Sequence, residues 1–211
     1  ILHTTASLEE FAAGKEMEVS ELQRTLEDIR IKLFREREER IHPAKDTKIL
    51  TDWNGLMIAA LAKGGAILNN DRYIAAADMA ADFLLDNMMR EGRLYHRWME
   101  GDAAVPGYLD DYAFMMWGLL ELYQADFNPD RLQQALELAD GVRELFADEE
   151  NGGFYFTGKD AEKLMTRPRE TFDGAVPSGN SVAALMLMQL GRMTERNDLE
   201  ELGQQTLSSY S

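Results

Sequence analysis

The stretch from Asp52 to Leu68, DWNGLMIAALAKGGAIL, decides the fold class of this 211-residue chain. Beyond its polar start it contains a single charged residue, Lys63, and alanine and glycine fill much of its length. A helix that is smooth on several faces can pack closely against more than one neighbour. We therefore predict a buried helix here, with Asp52 as its N-cap.

The same order of elements is repeated along the chain. Each predicted apolar helix is followed by a turn and then by an amphipathic helix. The amphipathic partner of the first helix is predicted over 72–89. A second pair is predicted over 110–124 and 129–146, and a third over 182–193 and from Leu199 onward. Equivalent turn residues stand roughly 60 residues apart, which indicates a repeated helical hairpin.

Three hairpins of this kind predict an all-α fold with an inner ring of apolar helices and an outer ring of amphipathic ones. We divide one partial toroid domain, 1–211, into a leading helical segment (1–44), hairpin 1 (45–104), hairpin 2 (105–160) and a truncated hairpin 3 (161–211). A superhelical solenoid is the competing architecture. The long aromatic connectors between hairpins favour a closed toroid.

Composition narrows the possible partners and location. The chain carries 22 basic and 38 acidic residues, a net charge of −16, which disfavours nucleic acid and anionic membrane surfaces. It has no cysteine, and no run approaches the roughly 18 apolar residues of a membrane span. We predict an internal piece of a longer cytoplasmic protein, which associates with the remaining hairpins of its parent chain or with itself.

Polar clusters stand at the start of each apolar helix: TDWNG (51–55), LDDY (109–112) and PSGNS (177–181). If the inner helices run parallel, their N-termini and unpaired backbone N–H groups emerge on one face. The connector carrying His96, Arg97 and Trp98 returns to that face. We therefore predict a pocket there for a polar, ring-shaped molecule such as a sugar.

Each cluster also has a purely structural interpretation, because Asp52, Asp110 and Ser178 are residue types that commonly serve as N-caps. Asp111 is the exception, since one cap suffices for a helix and a second adjacent carboxylate is surplus. A helix N-terminus favours the ionised carboxylate, so we predict Asp111 to be a base, a nucleophile or an anchoring charge.

A proton donor with a raised pKa would then come from the segment RETFDG (169–174), which supplies Glu170 and Asp173. His96 is a candidate proton shuttle, although a lone histidine in an aromatic loop is more often simply hydrogen-bonded. No histidine pair has the spacing of metal ligands, so we predict neither a metal site nor a cofactor.

Aromatic and amide side chains complete the predicted site, with tryptophans as stacking platforms and asparagines as readers of hydroxyl groups. The predicted substrate-binding residues are Trp53, Asn54, Arg97, Trp98, Asp110, Tyr112, Ser178 and Asn180.

Three motifs resemble a known family. They are KILTDWNGLMIAAL (48–61), YLDDYAF (108–114) and DGAVPSGNS (173–181). In this order they resemble the spermatogenesis-associated, thioredoxin-domain-containing protein and its bacterial and archaeal relatives, from about Lys45 to Thr194. The resemblance implies an (α/α)6 toroid, similar to those of N-acylglucosamine 2-epimerases and six-hairpin glycosidases.

By this resemblance the chain holds about three of six hairpins and lacks the family's thioredoxin-like domain. It implies a carbohydrate-active site, either glycosidase-like or epimerase-like. Similar epimerases use paired histidines, and His96 has no evident histidine partner, which favours the glycosidase. The rival hypothesis is a non-catalytic scaffold attached to a thioredoxin-like module.

Overall fold

A computed structural model describes residues 3–162 and 165–210 of the chain. The chain divides into two compact units, Ile1–Asp46 and Thr47–Ser211. The first contains two helices, α1 (Leu8–Gly14) and α2 (Val19–Glu38).

The two helices of the first unit begin in different ways. Ser7 and Glu10 form a capping box at the start of α1, in which each side chain accepts the other's backbone N–H at 3.1 Å. Glu18 takes the N-cap position of α2, and Ser20 lies inside the first turn.

The second unit confirms the predicted all-α hairpin repeat. The apolar helices are α3 (Thr51–Leu68), α5 (Leu109–Asp126) and α7 (Gly179–Thr194). Their amphipathic partners are α4 (Asp71–Met88), α6 (Pro129–Phe146) and α8 (Asn197–Ser208). Each hairpin turn begins with a residue in the left-handed conformation, namely Asn69, Phe127 and Glu195. Three structurally equivalent turns mark three copies of one unit.

The apolar helices form a common layer, with α5 packed between α3 and α7. Glycines allow the close approach of α3 and α5. A Cβ atom added to Gly55 would lie 2.6 Å from the backbone of Phe114, and one added to Gly118 would lie 3.0 Å from the Gly55 carbonyl. The buried core centres on α5, which brings the starts of the three helices together.

A small antiparallel sheet links the first two hairpins. It comprises β1 (Ile49–Leu50), β2 (Met89–Arg90), β3 (Arg93–Met99) and β4 (Asp102–Pro106), with β3 pairing to the other three. The connector that carries His96 thus contains a strand at 93–99. Its counterpart at 152–157 forms only an isolated bridge between Ala147 and Phe154. Across the described ranges, no helix has the length and apolar character to cross a membrane.

Candidate active site at the start of α5

Asp111 is the hub that joins three elements. Its side chain is fully buried and accepts the backbone N–H of Tyr108 at 2.7 Å, which caps α5. It also accepts the backbone N–H of Asp52 at 3.0 Å, at the start of α3. His96 Nδ1, on β3, lies 3.0 and 3.1 Å from its two oxygens. Asp111 therefore fixes the relative positions of α3, β3 and α5.

His96 is the hydrogen-bond donor in its contact with Asp111. Because a carboxylate only accepts hydrogen bonds, Nδ1 carries the proton in this contact. The hydrogen bond to Asp111 raises the pKa of His96, the charges of Asp52 and Asp110 add to the effect, and burial opposes it. The imidazole remains 22% exposed, so it is accessible from the site.

Asp110 is the aspartate of the pair that does not cap α5. Its Oδ1 is buried and has no hydrogen-bond partner among the residues described. Burial raises the pKa of Asp110 to about 7, with further contributions from the negative charges of Glu170, Asp111 and Asp52. The backbone N–H of Gly179 offsets a small part of this rise.

This arrangement reverses the expected roles of the two adjacent aspartates. The sequence interpretation made Asp110 the cap and Asp111 the surplus group. In the structure Tyr108 occupies the N-cap position of α5, and Asp111 reaches back to its N–H. Asp110, one residue earlier, lies on another face of the helix, where it meets the start of α7 instead. The carboxyl group whose pKa is raised to about 7 thus belongs to α5 and not to the segment 169–174.

Asp52 is likewise not an N-cap, since α3 begins at Thr51 and Leu50 occupies the cap position. Its Oδ1 accepts the adjacent N–H of Trp53 at 2.7 Å. Burial, followed by the charge of Asp111, raises the pKa of Asp52. Asp52 thus joins Asp110 and Asp111 in an acidic cluster around His96.

The start of α7 agrees with the interpretation of Ser178 as an N-cap. Ser178 caps the helix by accepting the Ser181 N–H at 3.2 Å. Asp173 accepts the Ser178 N–H at 2.8 Å and the Ser181 hydroxyl at 3.2 Å. These donors lower the pKa of Asp173, so the expectation that it would carry a raised pKa is wrong.

Two predicted binding residues belong to the supporting core. Tyr112 is 1% exposed, and its hydroxyl accepts the Leu94 N–H at 3.0 Å. Asn180 is 2% exposed and pairs with the backbone N–H and carbonyl of Phe154 at 2.9 and 3.0 Å. It also donates to the carbonyl of Glu170 at 2.9 Å, which ties that exposed residue's segment to α7. These side chains support the site through hydrogen bonds to buried backbone groups.

Of the two tryptophans predicted to bind substrate, Trp53 lies at the surface and Trp98 packs against the core. Trp53 is 67% exposed and lines an apolar cavity of about 320 Å³ with Leu56, Met57, Ala60 and Val176. Trp98 packs edge-on against Phe83 at 5.3 Å between ring centres, beside α4.

Asn54 and Arg97 have local structural positions. Asn54 donates to the Leu50 carbonyl at 2.7 Å, within its own helix start. Arg97 lies opposite Leu50 in the pairing of β1 with β3. Sequence reasoning missed Tyr108, whose ring stacks on Phe156 at 4.7 Å and meets His96 edge-on at 5.1 Å. Its place directly before the aspartate pair is the signal that could have identified it.

The donor atoms of Asp52, His96 and Asp111 lie within 4.8 Å of one another, close enough for a metal cluster. However, both Asp111 oxygens already accept backbone N–H groups, and His96 contacts them at direct hydrogen-bond distance. We therefore assign this group as a hydrogen-bonded charge cluster.

Comparison with known proteins identifies relatives of the whole chain. No family model matches. The chain is 36% identical to spermatogenesis-associated protein 20 of Homo sapiens over 209 residues, which is 94% of this chain and 27% of that protein. The Mus musculus protein is 35% identical over the same length. The chain thus spans about a quarter of the length of these relatives.

Solved structures share the fold at low sequence identity. The cellobiose 2-epimerase of Spirochaeta thermophila has a TM-score of 0.62 and 17% identity, over 75% of this chain and 42% of its own. A GH76 alpha-mannanase of Bacteroides thetaiotaomicron has a TM-score of 0.64 and 16% identity, over 78% and 45%.

An alpha-1,6-mannanase of Salegentibacter has a TM-score of 0.61 and 14% identity, over 77% and 47%. That structure is of an inactive variant in which asparagine replaces aspartate at two consecutive positions. The resemblance seen in the motifs is thus confirmed: over 94% of its length this chain is a relative of spermatogenesis-associated protein 20, with a fold of the (α/α)6 toroid type.

Proposed function

We propose that the start of α5 forms part of a carbohydrate-active site, in which Asp110 exchanges a proton with a sugar substrate. The observation that carries this proposal is the half-buried Asp110, with an unpartnered Oδ1 and a pKa of about 7. A general acid or base works best when its pKa lies near the working pH. Burial of a carboxyl oxygen without a hydrogen-bond partner destabilises the fold.

His96 and Asp111 supply the second half of the chemistry. The buried Asp111 orients the imidazole and stabilises its charged form, in the way that a carboxylate orients a catalytic histidine. His96 then hydrogen-bonds a substrate hydroxyl or transfers a second proton. Trp53, exposed at the start of α3, is suited to stacking on a sugar ring.

Charge at the site favours a substrate without negative charge. Asp52, Asp110 and Asp111 lie near His96, and the negative charge of Glu170 acts on Asp110. A carboxylate or phosphate on the substrate would be repelled by this cluster, whereas hydroxyl and amino groups would be attracted as donors. We therefore propose a neutral sugar or an amino sugar rather than a uronate or a sugar phosphate.

The comparisons support a carbohydrate substrate in general, since the fold is shared with enzymes of both neutral and acidic sugars. The fold is shared with a cellobiose 2-epimerase and with alpha-mannanases. Asp110 and Asp111 are themselves consecutive aspartates, like the pair replaced in the inactive mannanase variant. Whether the reaction is hydrolysis or epimerisation depends on groups that the remainder of a toroid would contribute, so both belong to the proposal.

The test uses the full-length protein with a panel of neutral, amino and acidic mono- and oligosaccharides, followed by proton NMR of the anomeric region. We expect new anomeric signals with wild type, a loss of about 10²- to 10⁴-fold in Asp110→Asn, and no loss in Asp130→Asn. Asp130 is the matched control, an exposed aspartate in the first turn of α6.

Running the same reaction in deuterium oxide distinguishes the two chemistries. Epimerisation through proton abstraction incorporates solvent deuterium on carbon, whereas hydrolysis changes chain length without doing so. If no sugar reacts and none shows line broadening, the proposal fails and the scaffold hypothesis replaces it.

A further inference from the structure

Gly179, the first residue of α7, lies directly against the Asp110 carboxyl group. A Cβ atom added to Gly179 would overlap Asp110 Oδ1. It would also lie 3.0 Å from Leu109 Cγ and 3.2 Å from the backbone nitrogen of Asp110. No residue larger than glycine fits here while Asp110 keeps its position.

The start of α7 is firmly anchored and cannot easily retreat to make room. Ser178 is held by Asp173 and Ser181, through contacts of 2.8 to 3.2 Å. On the other side, Asn180 is bonded to both backbone groups of Phe154. With the helix start fixed on both sides of Gly179, a new side chain would displace the carboxyl group of Asp110, whose Oδ1 is the nearest atom.

We infer that Gly179 is a positioning residue for Asp110: its missing side chain lets the start of α7 close over the carboxyl group and exclude water from Oδ1. Neither capping nor helix propensity calls for glycine at this position. Its use is explained by the close approach of another chain segment, as glycine permits.

The inference rests on the proposed role of Asp110, but it makes a prediction that needs no substrate. In Gly179→Ala the carboxyl group turns outward and regains water. The pKa of Asp110 should then fall from about 7 toward the ordinary aspartate range. Where a sugar substrate is known, a displacement of roughly 1 Å should lower kcat on the order of 100-fold. The limb of the pH profile that Asp110 governs should move to lower pH.

The first experiment is a pH titration of the Asp110 side-chain carboxyl carbon by NMR, assigned with Asp110→Asn, in wild type and in Gly179→Ala. Gly64→Ala is the matched control, because no atom lies within 4 Å of a Cβ added at that helical glycine. We expect a titration near pH 7 in wild type and in the control, and near pH 4 to 5 in Gly179→Ala. An unchanged midpoint in Gly179→Ala would overturn the inference.

A double-mutant cycle covers the case in which Gly179→Ala loses stability. Replacing Asp110 with alanine removes the group that the new Cβ would strike. The loss in Tm caused by Gly179→Ala should therefore be clearly smaller in the Asp110→Ala background than in wild type. Equal losses would show that Gly179 accommodates something else.

The two proposals fail separately. If the titration of Asp110 moves as expected while no sugar is turned over, the positioning role stands and the proposed function falls. If sugar is turned over through Asp110 but the titration midpoint of Asp110 is unchanged in Gly179→Ala, the proposed function stands and the positioning role falls.

Discussion

The starts of α5 and α7 meet in space, yet they use their polar side chains differently. At α7, Ser178, Asp173 and Ser181 bond one another and the N–H groups of Ser178 and Ser181, so each of these three side chains has a local partner. At α5, Asp111 satisfies the local N–H of Tyr108 and also the distant N–H of Asp52. Asp110 is left buried without a partner at Oδ1, among the residues described.

The difference separates stabilisation from function. A helix start needs a limited number of acceptors for its free N–H groups, and α7 supplies just those. The start of α5 supplies one carboxyl group more than its capping requires, at a cost in stability. Such a cost is typical of groups retained for chemistry. Three stability measurements test how far the two helix starts differ.

The largest effect should come from Asp111→Ala. The change removes the acceptor of two backbone N–H groups and leaves the His96 imidazole without its buried partner. We expect a loss of about 3–5 kcal/mol in the free energy of unfolding. Urea unfolding followed by tryptophan fluorescence reports on the correct unit, because Trp53, Trp98 and Trp117 all lie within 47–211. The surface control Asp130→Ala should lose less than about 0.5 kcal/mol. A comparable loss in both variants would contradict the hub role of Asp111.

The next effect is a dependence of stability on pH. The folded-state pKa of Asp110 is raised from 3.8 to about 7, so the folded protein binds this proton more tightly than the unfolded chain does. Stability should therefore fall as pH rises from 5 to 8, by about 2–3 kcal/mol from this group. The raised pKa of His96 acts in the same direction, since its stabilisation is complete below the unfolded value and is lost above the folded one.

Urea unfolding at pH 5 and pH 8 tests this expectation. Asp110→Asn should remove most of the decline and be more stable than wild type at pH 8. If the stability of Asp110→Asn fell with pH as much as that of wild type, the pKa of Asp110 in the folded protein would not be raised. Asp110 would then resemble the exposed Asp173 at the start of α7.

The smallest effect should come from Ser178→Ala at the start of α7. Loss of this N-cap removes the acceptor for the Ser181 N–H and should cost about 1 kcal/mol, with little dependence on pH between 5 and 8. Thermal unfolding of wild type and variant at both pH values measures this. A loss several times larger would indicate that α7 shares the role of the start of α5 as a structural hub.

Local signals predicted the parts of the fold that depend on nearby residues. The helix 129–146 was predicted at its observed bounds, because Asn128 caps it and Pro129 occupies its first position. The partly alternating pattern at 93–99 is compatible with a strand or an extended loop, and the structure has a strand there. By contrast, α7 begins at Gly179 rather than at Val182, since the Ser178 cap starts the helix before its apolar run.

The candidate site was predicted as a region, but the roles within it were not. Convergence of His96 with the helix starts followed from the repeat, and the contact with Asp111 agrees with it. Trp98 could not be located from sequence, because either face of a short strand can turn toward the core. The burial of Tyr112 and Asn180 depends on Leu94 and Phe154, which are distant in the chain.

The sequence by itself determined the repeated helical hairpin and the polar clusters at its inner helix starts, because periodicity and turn residues act over a few positions. Only the tertiary structure decided which aspartate caps and which remains. Asp111 caps the backbone of Asp52 from another hairpin, and Gly179 closes over Asp110 from a third. Capping and desolvation at these two neighbouring residues are set by chain segments many residues away, so no local pattern could distinguish them.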